Sequence, residues 1–291
     1  MLKAVIDLHI HTLASDGQHT AAEVVAMGRA LGLHAIAIAD HNSIASVAAG
    51  EEEAARAGIG FAPCLELDTV FRGRDLHILG YFIAYDSAAC RAWIEEIQRE
   101  KIKQAGLRVE KLRGLGFNLE FNELMELSQG RVPTGVEYIA ALKKHPENLD
   151  DGKVRAYIDG PRADSPFKNF YLDWLRAGRP AFVPLTVQPS ERAIAEIKEL
   201  SGIPVIAHPW DTPEEDVHEL IDQGLMGIEV YTSYHDRPTT EKFLALARDR
   251  NVLITAGSDF HGKDRKPEVR LAGISGNDDE LFFKLRDAAG R

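Results

Sequence analysis

Only two cysteines, Cys64 and Cys90, occur among 291 residues, too few for a disulfide scaffold and without the spacing of a metal knuckle. A reducing cytoplasmic compartment is expected, with both thiols in the core. Long apolar runs are also missing, since none approaches the ~20 residues of a membrane span. Met1 to Ile6 meets Asp7 and His9 before a signal-like stretch can form, so an unexported protein with no membrane partner is expected. Positive charge is in deficit, with 34 Lys and Arg against 45 Asp and Glu and a net charge of −11. A chain of that sign repels long polyanions, which argues against binding to long duplex nucleic acid. No fixed-period repeat or low-complexity tract is present, which sets aside repeat arrays.

What is there is globular. The chain is 45% hydrophobic and 27% charged, enough apolar material for a core. Its length suits one α/β barrel of about 250 residues with an insertion. Short apolar runs recur at Ala4 to Ile6, Ala35 to Ala39, Ile59 to Ala62, Ile203 to Ala207, Gly227 to Val230 and Val252 to Thr255, and read as buried parallel strands. Helical stretches lie between them, at Thr20 to Leu31, Ile44 to Ala57, Glu191 to Leu200, Pro213 to Gln223 and Thr239 to Arg250. That alternation is the α/β signature. Leu76 to Phe82 follows a turn around Arg72-Gly73-Arg74 and predicts a local hairpin.

From Ala88 to Pro180 the alternation stops. A long charged amphipathic stretch (Trp93 to Leu115), a short helical candidate (Thr134 to Lys144) and an Asp-, Gly- and Pro-rich segment (Asn148 to Asp164) predict a helical insertion. The expected organisation is a discontinuous barrel of residues 1–87 and 181–291, with 88–180 as a helical domain over the active-site face.

The chemistry-bearing residues cluster at strand ends. Asp7-x-His9-x-His11 follows the first strand, and alternate residues of an extended segment share a side, so the two imidazoles can converge on an ion while Asp7 orients one of them. Asp16 follows in Ser15-Asp16-Gly17, then Asp40-His41 after the second strand, Glu66 after the third, His77 in the hairpin, His208 after the fifth run and Asp259-x-His261 after the last. Six of the 11 histidines and three carboxylates thus occupy positions that a parallel barrel gathers on one face. Mixed imidazole and carboxylate ligands suit Zn, Mn or Fe(II) rather than Mg, Ca or Cu(I). Nine ligands exceed the needs of one ion, so two or three divalent ions sharing a carboxylate fit the count, an arrangement that clamps both oxygens of a phosphoryl displacement.

Asp7-Leu8-His9-Ile10-His11-Thr12, Ser15-Asp16-Gly17, Ala39-Asp40-His41-Asn42, Glu66, His77, Ala207-His208-Pro209 and Gly257-Ser258-Asp259-Phe260-His261-Gly262 together resemble the PHP superfamily, named for polymerase and histidinol phosphatase. Within it the chain looks most like stand-alone bacterial phosphoesterases acting on nucleotides or short nucleic-acid ends. The resemblance implies a distorted (β/α)7 TIM-like barrel with a helical insertion. It implies one ion on His9, His11, Glu66 and His208 with Asp259 nearby, a second reached through bridging Glu66 and completed by His77, and a third on Asp16, His41 and His261. Where this family often shows Gly-Arg-Pro-His the chain reads Gly130-Arg131-Val132-Pro133-Thr134, which retains Arg131 as a phosphate contact and lacks the histidine.

Arg131 is therefore the candidate substrate residue, since its guanidinium fork suits phosphate. His235, after the sixth strand, and Asp40 are the candidate catalytic groups for proton transfer. His19, His34, His145, His218 and the pair Lys143-Lys144 are expected on the surface or in packing. The implied function is hydrolysis of a nucleotide phosphomonoester, such as a nucleoside bisphosphate, or of short oligonucleotide 5′ ends, by a metal-activated water. Histidinol-phosphate phosphatase, carbon-nitrogen hydrolysis and a non-enzymatic metal-binding domain are the alternatives.

Overall fold

The apolar runs become strands and the amphipathic stretches between them become helices. The computed structural model describes residues 6–185, 188–276 and 278–291. In chain order, β1 (Ile6–Ile10), α1 (Ala21–Leu31), β2 (Ala35–Ile38), α2 (Val47–Ala57) and β3 (Gly60–Phe61) form the first part. Ala4 and Val5 of the expected first strand lie outside the described residues. The strand that begins at Ile6 runs on through the Asp-x-His motif, so His9 is a strand residue rather than a loop residue. Thr20 starts α1 with a reciprocal capping box to Glu23, and Gly32 ends it in the left-handed conformation.

The hairpin follows as β4 (Glu66–Phe71) and β5 (Arg74–Tyr81). Its two-residue loop, Arg72-Gly73, has positive φ at both positions (49° and 77°), the geometry that matches the twist of tightly joined strands. A helical segment then begins with α3 (Ala88–Gly114), followed by α4 (Phe121–Leu127), α5 (Gly135–Lys143), α6 (Pro146–Asp150), α7 (Gly152–Arg155), α8 (Pro166–Phe170) and a π-helical turn over Tyr171–Leu175. Alternation resumes with α9 (Ser190–Glu199), β6 (Ile203–Ile206), α10 (Glu214–Asp222), β7 (Gly227–Thr232), α11 (Arg237–Asp249), β8 (Leu253–Gly257) and α12 (Asp279–Ala288).

The strands form a mixed α/β fold of two sheets, β1-β2-β3 and β4-β5-β6-β7-β8. The first is parallel, and the second is antiparallel where β5 pairs with β4 and β6 and parallel beyond. They do not close into one continuous hydrogen-bonded ring. Instead their edges meet at isolated parallel bridges, Ile10 with Phe260 and His41 with Glu66. Backbone bonds stitch each seam: Asp259 N–H to the His9 carbonyl at 2.9 Å, and Asn42 N–H to the Glu66 carbonyl at 2.8 Å. The seams carry His9, His41, Glu66 and Asp259, so the closure of the fold and the convergence of its polar residues are one event.

Apolar side chains from the two sheets and their flanking helices build the core around this end, while a separate cluster that includes Leu112, Tyr138, Ile139, Leu142 and Phe170 forms inside the helical segment. Helix α3 joins the two: Cys90, Trp93, Ile94 and Ile97 pack on the sheet side, and Ala105, Val109 and Leu112 pack among the insertion helices. Both cysteines are buried and unbridged. No helix among the described residues is long and apolar enough to cross a membrane.

Candidate metal centre

Glu66, at the first position of β4, is fully buried and is the hub. Its Oε2 lies 3.2 Å from His9 Nε2, His11 Nε2 and His41 Nδ1, and its Oε1 lies 2.9 Å from His77 Nδ1 and 3.0 Å from His208 Nε2. Five imidazoles from four different stretches of chain therefore face one carboxylate. Asp259 Oδ1 adds contacts of 3.0 Å to His11 Nε2 and 3.6 Å to His9 Nε2, and Asp16 Oδ1 lies 3.1 Å from His261 Nε2 and 3.6 Å from His11 Nδ1. The nine residues singled out in the sequence lie within this one assembly.

Three sets of side chains bring their ligand atoms within 4.8 Å of one another: His9, His11, Glu66 and Asp259; His11, Asp16, His41 and His261; His41, Glu66 and His77. Each pair of sets shares one residue, so the sets form a triangle with His11, Glu66 and His41 at its joints. Within the first, the two histidine Nε2 atoms lie 3.0 to 3.6 Å from each other and from Glu66 Oε2 and Asp259 Oδ1. Four tetrahedral ligands at about 2.1 Å from a common centre stand roughly 3.4 Å apart, which is this spacing.

The hydrogen bonding fits an ion as well. Glu66 Oε2, Asp259 Oδ1, Asp16 Oδ1, His41 Nδ1 and His261 Nε2 are buried and have no hydrogen-bond partner, although each approaches several polar atoms. Buried polar atoms are rarely left this way unless something other than a proton joins them. Burial alone would depress the His41 imidazole, but the Glu66, Asp16 and Asp68 carboxylates outweigh it and push it up to about 10. Burial likewise works against the Glu66 carboxylate, yet the surrounding His9, His41 and His77 hold it well below the usual range. Burial, together with His11 and Lys266, drives His261 down to about 4 despite Asp16 and Asp259 beside it. The raised His41 and the lowered Glu66 reflect carboxylate charge set between imidazoles, a field that suits divalent cations.

Several supporting residues carried no separate signal in the sequence reading. Glu229, fully buried on β7, sets its Oε1 3.0 Å from His9 Nδ1 and accepts the His208 backbone N–H on Oε2 at 2.9 Å. A glutamate inside the apolar run Gly227-Ile228-Glu229-Val230 is the sign that was there to be read. Asp68, two residues along β4 from Glu66 and hence on the same face, lies 3.2 Å from His41 Nδ1 and 3.4 Å from His77 Nε2, and it is ion-paired with Lys101. Asp259 Oδ2 accepts from Tyr234 Oη and from Lys266 Nζ, both at 2.5 Å. Gly257 is required by this crowding, because a Cβ there would overlap His9 and the Glu229 carboxylate. His208 and Asp259 hold positive φ of 28° and 58°, backbone strain of the kind that gathers at functional sites.

Other candidates take different places. Asp7 does not touch the His9 ring; its carboxylate accepts backbone N–H groups from His9, Ser258 and Ala272, tying β1 to the segment after β8. Asp40 is fully buried, and its oxygens accept from Thr12 N–H at 2.8 Å, Thr12 Oγ1 at 2.7 Å, Ser15 Oγ at 2.6 Å and Ser46 Oγ. A carboxylate has about four acceptor sites, so Asp40 is saturated and clamps the loop after β1 instead of offering a free lone pair. His235 donates through Nδ1 to the Val230 carbonyl and stacks on Phe243 at 5.3 Å, off the cavity lining. Arg131 lines the cavity and donates to the carbonyls of Ser128 and Leu13, which links the insertion to the loop after β1. Among the four histidines expected in packing, His34 pairs with Asp279 and His145 with Glu123, both at 2.7 Å.

A cavity of about 420 Å³ opens beside the cluster. Asp16, His41, Asp68, His77 and His261 form its inner wall, and the insertion with the segment after β8 supplies Lys101, Arg108, Arg131, Lys168, Arg265 and Lys266. A chain of net charge −11 thus turns cations toward this one space.

Residues 7–148 match the family model of the PHP domain. The chain is 25% identical over 267 residues to the phosphoribosyl 1,2-cyclic phosphate 1,2-diphosphodiesterase of Eggerthella lenta, covering 90% of this chain and 97% of that protein. It is 27% identical over 264 residues to the 3′,5′-nucleoside bisphosphate phosphatase of Chromobacterium violaceum, covering 89% and 87%. A solved structure of an amidohydrolase from Chromobacterium violaceum, with bound sulfate, superposes with a TM-score of 0.79 at 25% identity over 98% of this chain and 97% of the other.

Proposed function

The chain belongs to the PHP superfamily, and on that footing we propose that it is a metal-dependent phosphoesterase that removes a phosphomonoester from a nucleoside bisphosphate or from the 5′ end of a short oligonucleotide. The observation that carries this reading is the meeting of five imidazoles on Glu66 beside a cavity whose lining includes six Lys and Arg side chains. We read the two sheets as arcs of one distorted (β/α)7 TIM-like barrel, with residues 88–180 as the insertion domain that roofs its active face.

The ligands we assign are His9, His11, Asp16, His41, Glu66, His77, His208, Asp259 and His261, serving two or three Mn, Fe or Zn ions, with Glu66 as the bridge. Bound there, divalent cations supply Lewis acidity toward phosphoryl oxygens and acidify the attacking water. The protein's own groups do the rest. Glu229 fixes the His9 ring by accepting from Nδ1, which keeps Nε2 aimed inward, and Lys266 and Tyr234 hold Asp259 Oδ2 so that Oδ1 faces the same point. Arg131 stands at the rim, where donors beyond those given to Ser128 and Leu13 meet the substrate. Asp40 positions the His11 to Ser15 loop, and His235 packs on Phe243.

The cavity's charge also bears on the alternatives. Histidinol phosphate brings a cationic amine, and of the lining carboxylates Asp68 is already paired with Lys101, while Asp75 accepts from Tyr171 and from the Ala177 backbone. A polyanionic substrate suits this lining better. The test is phosphate release by the metal-loaded protein from adenosine 3′,5′-bisphosphate, 5′-phosphorylated dinucleotide, mononucleotides and histidinol phosphate, with and without chelator. Chelator-sensitive release from the bisphosphate or dinucleotide is expected; release from histidinol phosphate alone would replace the substrate reading, and no release from any would remove it.

A further inference from the structure

The cavity wall contributed by α3 carries a basic side chain with no ion-pair partner among the described residues. Arg108 is 9% exposed, its Nε is buried without a hydrogen-bond partner, and among the described residues no carboxylate forms an ion pair with it. Buried guanidinium groups are normally paired, because an uncompensated buried charge is costly. Its neighbour is the Tyr138 hydroxyl, a neutral group. One turn earlier Gln104, 6% exposed, gives its amide N–H to the Val183 carbonyl at 2.7 Å and leaves Oε1 buried and unpartnered. Both side chains line the cavity. Of the neighbouring cations, Lys101 is engaged with Asp68, Lys266 with Asp259, Lys168 with Glu268 and Arg131 with two backbone carbonyls, while Arg265 lies over the Phe167 ring with its Nε likewise buried without a hydrogen-bond partner.

Position along the helix gives the spacing. Lys101 sits at the cluster through Asp68, which contacts His41 and His77. Arg108 lies seven residues further along α3 on the same cavity-facing stripe, about 10 Å along the axis. We propose that Arg108, with Gln104 beside it, forms an anion subsite that takes the second phosphate of a substrate whose first phosphate lies at the cluster. A guanidinium grips phosphate oxygens through parallel N–H donors, and the free Gln104 oxygen accepts from a sugar hydroxyl or base amine near that phosphate. The identity of the ligand as a substrate rests on the phosphoesterase reading; the existence of the subsite does not.

The test uses the full chain with Arg108→Met, which keeps an apolar stem, and Arg108→Lys, which restores a charge, each checked for an unaltered melting profile. In the metal-loaded protein, kcat/KM is measured for adenosine 3′,5′-bisphosphate and for p-nitrophenyl phosphate. Arg108→Met is expected to lower the ratio of the two roughly ten- to a hundredfold, chiefly through KM for the bisphosphate, as loss of a charged hydrogen bond does. Binding of the bisphosphate to chelator-treated protein, followed by calorimetry, is expected to weaken by a similar factor, with Arg108→Lys losing less. An equal change on both substrates, unaltered binding, or indistinguishable Met and Lys variants would overturn the subsite. If the wild type turns over neither substrate, the phosphoesterase reading fails, and the binding measurement alone decides whether Arg108 holds an anion.

Discussion

Glu229 Oε1 sits 3.0 Å from His9 Nδ1 while its Oε2 accepts the His208 backbone N–H at 2.9 Å, so one buried carboxylate on β7 holds both the His9 ring of β1 and the backbone of His208 just after β6. The contact fixes the His9 tautomer with its proton on Nδ1 and raises the basicity of Nε2. It also explains why the adjoining strand β8 must end in a glycine, since any side chain at Gly257 would fill the space between the two groups.

Glu229→Gln removes the charge and keeps the shape. Metal affinity is expected to fall on the order of 10- to 100-fold, as it does when an outer partner of a liganding histidine is lost. Titration with a competing chromophoric chelator reads this directly. Unchanged affinity would mean that the His9 orientation is set by packing alone.

Asp40 separates a positioning role from a proton-transfer role. Asp40→Ala leaves the Thr12, Ser15 and Ser46 donors unsatisfied in a buried setting, and each such group costs about 1–3 kcal/mol. Urea unfolding should therefore show a clear loss of stability in the metal-free protein. A variant of wild-type stability with abolished turnover would instead make Asp40 the proton acceptor that its place in the sequence suggested.

Removal of metal should weaken the whole fold, because the candidate ligands bridge the seams between the sheets. Ions present at 100 times their dissociation constant stabilise the folded state by about 2.7 kcal/mol. For a chain of this size the melting temperature should drop by roughly 4 °C for each such ion removed by chelation. Identical melting curves with and without chelator would contradict a site that the native state alone assembles.

Sequence alone exposed what depends on order and residue type. Strand, helix, strand alternation located the sheets, and histidines at strand ends located the residues that meet on Glu66. What it missed depends on side-chain direction and on partners far along the chain. Asp7 and Glu229 illustrate this: proximity to His9 in sequence pointed to Asp7, yet its carboxylate turns to backbone N–H groups, and the group on the ring comes from a residue 220 positions away. Asp68 was within reach of strand periodicity, being two residues from Glu66 on the same face. The setting of Arg108 was not, because only the packed helices show that no carboxylate among the described residues pairs with it. The two-sheet arrangement with antiparallel pairs around β5 was hidden for a similar reason, since a tight turn predicts a hairpin but not the strand that pairs on its far side.

A metal centre built on Glu66 is tested by the count of ions per chain in wild-type protein and in Glu66→Gln. Protein purified without chelator and reconstituted with manganese, iron or zinc should hold two or three ions by elemental analysis. Glu66→Gln should retain its fold by circular dichroism, lose at least one ion and reduce phosphate release by orders of magnitude, because Glu66 meets imidazoles with both oxygens. Fewer than one ion in the reconstituted wild type, or a full complement with near wild-type turnover in the variant, would contradict a metal centre built on Glu66.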